Sequence, residues 1–118
     1  MGVRKITSSY VRYVKLTTVA CKEKNIICLF FLQPVPFVNY DRSAEIISIK
    51  QDFPQFKAGY EVIKKELEPV TNFYALDDAF AHPHELPYVD AIHYSPYGNR
   101  VLAELIYRKV RDHLRRGE

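Results

Sequence analysis

The run from Ile26 to Leu32 (Ile-Ile-Cys-Leu-Phe-Phe-Leu) is apolar without interruption. A strand with one wet face alternates apolar and polar side chains. A strand apolar on both sides needs cover on both faces, which is the situation inside a parallel sheet flanked by helices. The run stops at Gln33-Pro34, where the missing proline N–H ends a hydrogen-bond ladder. It is also far shorter than the roughly 18 apolar residues that suggest a membrane span, so no such span is expected.

What flanks the run fits such a sheet. From about Ile6 to Lys24 the residues Ile6, Tyr10, Val14 and Cys21, flanked by Val11, Tyr13 and Leu16, recur at helical spacing; Lys22-Glu23-Lys24 forms a polar end and Asn25 a cap. After Pro34, Val35-Pro36-Phe37 opens a long connection reaching about Asp52. Loops at the carboxyl ends of parallel strands are where α/β proteins place ligands, so this one is positioned to wall a pocket. Phe56, Tyr60, Ile63 and Leu67 form a second helical stripe that ends before Pro69. Val70 to Leu76 reads as a second strand with Asp77-Asp78 at its carboxyl end, and a last helix from about Tyr97 to Leu114 should bury Val101, Leu102, Leu105, Ile106, Val110 and Leu114. The order helix, strand, helix, strand, helix implies an α/β class with two parallel strands joined by a right-handed crossover. At least one sheet edge would then present unpaired backbone groups that need covering.

Composition adds bounds. With 118 residues, 47% hydrophobic and 26% charged, the chain has the balance of one globular domain over residues 1–118. Cys21 and Cys28, placed in a helix and a strand, are expected to be free and reduced. No secretory leader pattern is seen at the N-terminus, and a cytoplasmic location follows as the expectation. The formal charge of +3 is modest, and Arg108, Lys109, Arg111, Arg115 and Arg116 suit the C-terminal end of a helix. No aromatic or glycine-rich recognition pattern accompanies them, so no nucleic-acid partner is expected.

The chemistry lies just ahead of the last helix, in Val89-Asp90-Ala91-Ile92-His93-Tyr94-Ser95-Pro96-Tyr97-Gly98-Asn99. Asp90 and His93 are close enough for one turn to bring carboxylate and imidazole together, an arrangement that fixes the ring's tautomer and stabilises its protonated form. Taken alone, His93 reads as a structural histidine that closes the loop through Asp90. With the strand-helix-strand order and the Gln33-Pro34 stop, the run Asp90-x-x-His93-x-Ser95-x-x-Gly98-Asn99 resembles the C-terminal part of the SGNH (GDSL-type) hydrolases. That resemblance implies a partial three-layer α/β/α, flavodoxin-like domain from about Asn25 to Val110. It also implies Asp90 as triad acid, His93 as general base, Ser95 at the start of the final helix, and Asp77-Asp78-Ala79-Phe80 as the stretch after the penultimate strand.

The family's Gly-Asp-Ser nucleophile motif, glycine block and Gly-x-Asn-Asp block have no counterpart here. Glycine occurs only at Gly2, Gly59, Gly98 and Gly117, and neither Ser8 nor Ser9 follows a strand. Without a nucleophile His93 has nothing to activate. Oxyanion donors, when present, supply on the order of 3 to 4 kcal/mol of transition-state stabilisation. The expectation is a chain that lacks the family's N-terminal half and is inactive as an esterase by itself. Three forms of that expectation stay open: the C-terminal portion of a longer hydrolase, a separate product that acts on a small ester or acetylated substrate once an N-terminal-half partner completes it, or a degenerate, non-catalytic remnant. The competing expectation is a non-catalytic interaction module that assembles through its exposed sheet edge, with a partner or as a homo-oligomer. No cofactor is expected. His82, His84 and Glu85 sit in a proline-flanked loop without a matching third ligand, which argues against a metal.

Overall fold

The computed structural model describes residues 2–44 and 53–117. The second half of the connection expected to wall a pocket, residues 45–52, lies outside them. The described residues form a mixed helix and strand fold with a two-stranded parallel sheet and three long helices. They fall into two compact units: residues 2–32 with 53–75, and residues 33–44 with 76–117.

The first unit holds α1 (Val3–Glu23), β1 (Phe30–Leu32), α2 (Pro54–Leu67) and β2 (Phe73–Ala75). β1 and β2 are parallel, in the register Phe30 to Phe73, Phe31 to Tyr74 and Leu32 to Ala75. The Phe31 and Tyr74 rings stack with centroids 5.6 Å apart. Both strands are shorter than the apolar runs predict. At the first, the cause is the helix before it. Asn25 adopts a left-handed conformation (φ 55°), its N–H donates to the Lys22 carbonyl and the Ile26 N–H donates to the Cys21 carbonyl. This is a Schellman closure of α1. It uses Ile26 as part of the cap, so Ile26 and Ile27 stay exposed and the ladder begins only at Phe30.

α1 packs against α2, and the face it buries is rotated from the one expected. Thr7, Val11 and Val14 are buried, whereas Ile6 and Tyr13 are 56% and 70% exposed. Of the stripe read from Ile6, Tyr10, Val14 and Cys21, Val14 is buried, Tyr10 and Cys21 are half-buried and Ile6 is exposed; the stripe is corrected at its start, where Thr7 and Val11 are enclosed in place of Ile6. On α2 the buried residues are Gly59, Tyr60, Ile63 and Leu67, and Leu67 is completely enclosed. Pro54 starts this helix in its first turn, where a proline costs no hydrogen bond.

A second correction concerns the cysteines. Cys21 and Cys28 are joined as a disulfide, with no free cysteine in the described chain. The Schellman turn folds residues 22–27 back, so the end of α1 and the approach to β1 come within bonding reach.

The second unit contains the loop after β1, a short 3-10 turn at Arg42–Ala44, the loop carrying Asp90 and His93, and α3 (Pro96–Arg116). Its core is aromatic and proline-rich: Phe80, Val38, Pro34, Pro36 and Pro87 are among the most deeply buried side chains. Phe80 contacts Tyr88 and Tyr94 edge-on and tilted, at 5.4 and 6.0 Å between centroids. α3 buries Gly98 and Leu102. Val101, Leu105 and Ile106 are half-buried, while Val110 and Leu114, both expected on the inner face, are exposed.

No helix of the described residues is long and apolar enough to cross a membrane.

Candidate functional site

Asp90 and His93 sit at the tip of a tight hairpin whose closure is local. Tyr88 and Tyr94 pair as an antiparallel bridge, the Val89 N–H donates to the His93 carbonyl at 3.0 Å, and the Ser95 N–H donates to the Pro87 carbonyl at 2.8 Å. The hairpin then runs into α3 through Ser95. Its hydroxyl accepts from the Gly98 N–H at 3.1 Å, an N-cap bond, and donates to the Leu86 carbonyl at 2.6 Å. Ser95 thus performs the capping role expected of it.

Gly98 has an equally specific reason. A Cβ there would collide with the Pro87 carbonyl, the acceptor that closes the hairpin. Only a residue without a side chain lets the first turn of α3 lie against that strand.

At the tip, one Asp90 oxygen, Oδ1, accepts from the backbone N–H groups of Ile92 and His93 at 2.8 and 2.7 Å. The other, Oδ2, faces His93 Nδ1 at 2.7 Å. The Ile92 N–H, followed by the His93 ring, holds the Asp90 carboxyl below its usual range. A carboxylate against Nδ1 assigns the proton to that nitrogen and leaves Nε2 with a free lone pair. The pair stands open to solvent, with the side chains of His93 and Asp90 65% and 46% exposed. No other described group hydrogen-bonds the His93 ring.

The arrangement can therefore accept a proton at Nε2 and stabilise the resulting imidazolium through Asp90. Among the described residues no serine, threonine or cysteine is bonded to that nitrogen. Ser8 lies on α1 in the first unit, away from any strand-to-helix turn.

Two supporting interactions are not apparent from residue spacing. The Tyr94 hydroxyl, adjacent in sequence to the imidazole, donates to the Pro34 carbonyl at 2.7 Å. Asp77, only 5% exposed, accepts from the Asn39 side-chain amide at 2.7 Å, and Asn39 has a left-handed backbone (φ 51°). The adjacency of Tyr94 to His93 was the only available signal for the first. The second joins residues 38 apart in sequence, and no local pattern encodes it.

His82, His84 and Glu85 are exposed, and among the described residues no three His, Cys, Asp or Glu side chains are gathered to hold a metal. The His84 N–H instead donates to the Tyr97 hydroxyl at 3.0 Å, tying that loop to the start of α3.

No family model matches this chain, and no curated protein or solved structure is similar enough to count as a match.

Proposed function

We propose that this chain carries the acid and base of a serine ester hydrolase of the SGNH type and corresponds to the C-terminal half of that three-layer, flavodoxin-like domain. The observation that supports this most is the Asp90 carboxylate, divided between two backbone N–H groups and His93 Nδ1. It directs a free Nε2 outward from the loop that precedes the last helix.

In the complete enzyme His93 Nε2 takes the proton of a serine hydroxyl as that oxygen attacks the ester carbonyl. The imidazolium returns the proton to the leaving alcohol, and Asp90 keeps the ring oriented throughout. The serine and the oxyanion donors come from the N-terminal half, and the substrate is a small ester or acetyl ester. The Cys21–Cys28 disulfide is a redox state typical of oxidising compartments, and it does not support the cytoplasmic location expected from the N-terminal sequence.

The test is an assay of a short-chain aryl ester, with this chain alone and with a separately expressed N-terminal segment carrying a Gly-Asp-Ser motif from the same source. The expected result is background rate for the chain alone and turnover for the pair, abolished by His93→Ala. Turnover by the isolated chain that His93→Ala abolishes would refute the requirement for a second half. Failure of every such segment to restore activity would remove the hydrolase reading.

A second reading, an interaction module, draws on the outer edges of β1 and β2, which pair with no other strand among the described residues. The exposed Tyr13, Leu16 and Val19 of α1 add apolar surface in the same unit. Light scattering separates the two: a concentration-independent monomer argues against assembly through that edge.

A further inference from the structure

We propose that Cys21 and Cys28 form a redox-sensitive latch on the connection between α1 and β1, a site of reversible thiol–disulfide exchange. The bond joins the last turn of α1 to a residue two places ahead of β1, with the Cα atoms 6.2 Å apart. Both cysteines are partly exposed and line an open hollow of about 410 Å³ together with Thr18, Ile26, Val70 and Asn72. The disulfide therefore borders open space that a small thiol can enter.

Its position makes the bond a latch rather than a staple for the fold. The elements it joins are held by other means. α1 buries Val11 and Val14 and packs on α2, while β1 is held by its ladder with β2 and by the Phe30 N–H donating to the Asn72 carbonyl. The ring spans a sequence separation of only 7, and the unfolded-state freedom removed by a cross-link grows with the logarithm of ring length.

What the bond does restrain is the connection itself. Without it, what holds residues 22–27 is reduced to the exposed capping hydrogen bonds at the end of α1, and Ile26 and Ile27 already lie outside any core. Reduction therefore releases this segment and leaves both helices and the sheet in place.

The chemistry balances with a disulfide oxidant. The two thiols give up two protons and two electrons to glutathione disulfide, which leaves as two molecules of glutathione, and reduction is the reverse.

The test compares the full chain oxidised in a glutathione buffer with the same chain reduced by dithiothreitol. Titratable thiols should rise from none to the 2 cysteines present, and the far-ultraviolet circular dichroism should not change. The melting temperature should fall by no more than roughly 10 °C. Trypsin cleavage after Lys22 and Lys24, both exposed within the ring, should accelerate on the order of tenfold. The double variant Cys21→Ser, Cys28→Ser should match the reduced protein and ignore dithiothreitol. Cooperative unfolding on reduction, thiols that remain free in the oxidising buffer, or equal cleavage rates in the two states would each overturn the proposal.

Discussion

The hydroxyl of Tyr94 donates to the carbonyl oxygen of Pro34, 60 residues away in sequence, at 2.7 Å. Its ring is packed by Phe80 and Tyr88, so the residue next to His93 fastens the hairpin to the loop that leaves β1. Burial pushes the Tyr94 ionisation above that of an ordinary phenol. The hydroxyl remains a donor through the neutral range, and its contribution is lost as the pH rises through the folded-state value. Tyr94→Phe keeps the ring and removes the bond, and should lower the unfolding free energy by about 1 kcal/mol. A denaturant midpoint identical to that of the parent would show that the bond contributes nothing.

Gly98 and Gly117 make a controlled pair. A Cβ at Gly117 meets only ordinary contacts, 3.7 and 3.8 Å from carbonyl oxygens of its own helix, whereas at Gly98 it runs into Pro87. Gly98→Ala should cost about 2 to 4 kcal/mol, because the start of α3 must move away from the hairpin. Gly117→Ala should be nearly neutral. Thermal melts of the two variants side by side check the difference.

Asp90 sets a pH dependence of known sign. With its folded-state pKa held below the usual carboxylate range, its contribution is present above the unfolded-state value. It is lost as the pH falls through the folded one. A carbon NMR titration of the Asp90 carboxyl should place its midpoint below that of an unstructured aspartate. Asp90→Asn should flatten the part of the acid-stability curve that this residue supplies, and an unchanged curve would remove its role in the hairpin.

The rotation of α1 is open to a similar comparison. Val14 is buried and Ile6 is largely exposed, although both belong to the stripe predicted from sequence. Val14→Ala should cost about 2 kcal/mol, and Ile6→Ala should stay within about 0.5 kcal/mol of the parent. Urea unfolding of the two variants decides whether Ile6 shares the buried face with Val14.

Where periodicity and punctuation agree, the chain is readable. Pro54 and Pro69 bracket α2, the parallel strands follow from two apolar runs around it, and Ser95 announces α3. Legibility fails where two neighbouring rows are both acceptable for burial, as on α1. There Thr7, Val11 and Val14 satisfy helical spacing as well as Ile6, Tyr10 and Val14 do, and only the partner surface decides. It fails again at Ile26 and Ile27, where hydropathy indicates a strand but the closure of the preceding helix has already used the backbone. The disulfide follows from that same closure, a backbone event that composition does not encode. At the site, Asp90 and His93 were readable because three residues of spacing suffice to join them. Tyr94 with Pro34 and Asp77 with Asn39 were not, because those pairs meet only after the loops have folded.

The two members of the Asp90–His93 pair differ in how much the hairpin needs them. Asp90 Oδ1 is bonded to the backbone N–H groups of Ile92 and His93, and any residue but proline at position 93 would still supply the second, so the turn keeps its reason for an aspartate even if the imidazole is replaced. The His93 side chain, by contrast, closes nothing that its main chain does not already close. The turn therefore depends on the aspartate more than on the imidazole, and a replacement at position 93 leaves the main-chain closure of the hairpin in place.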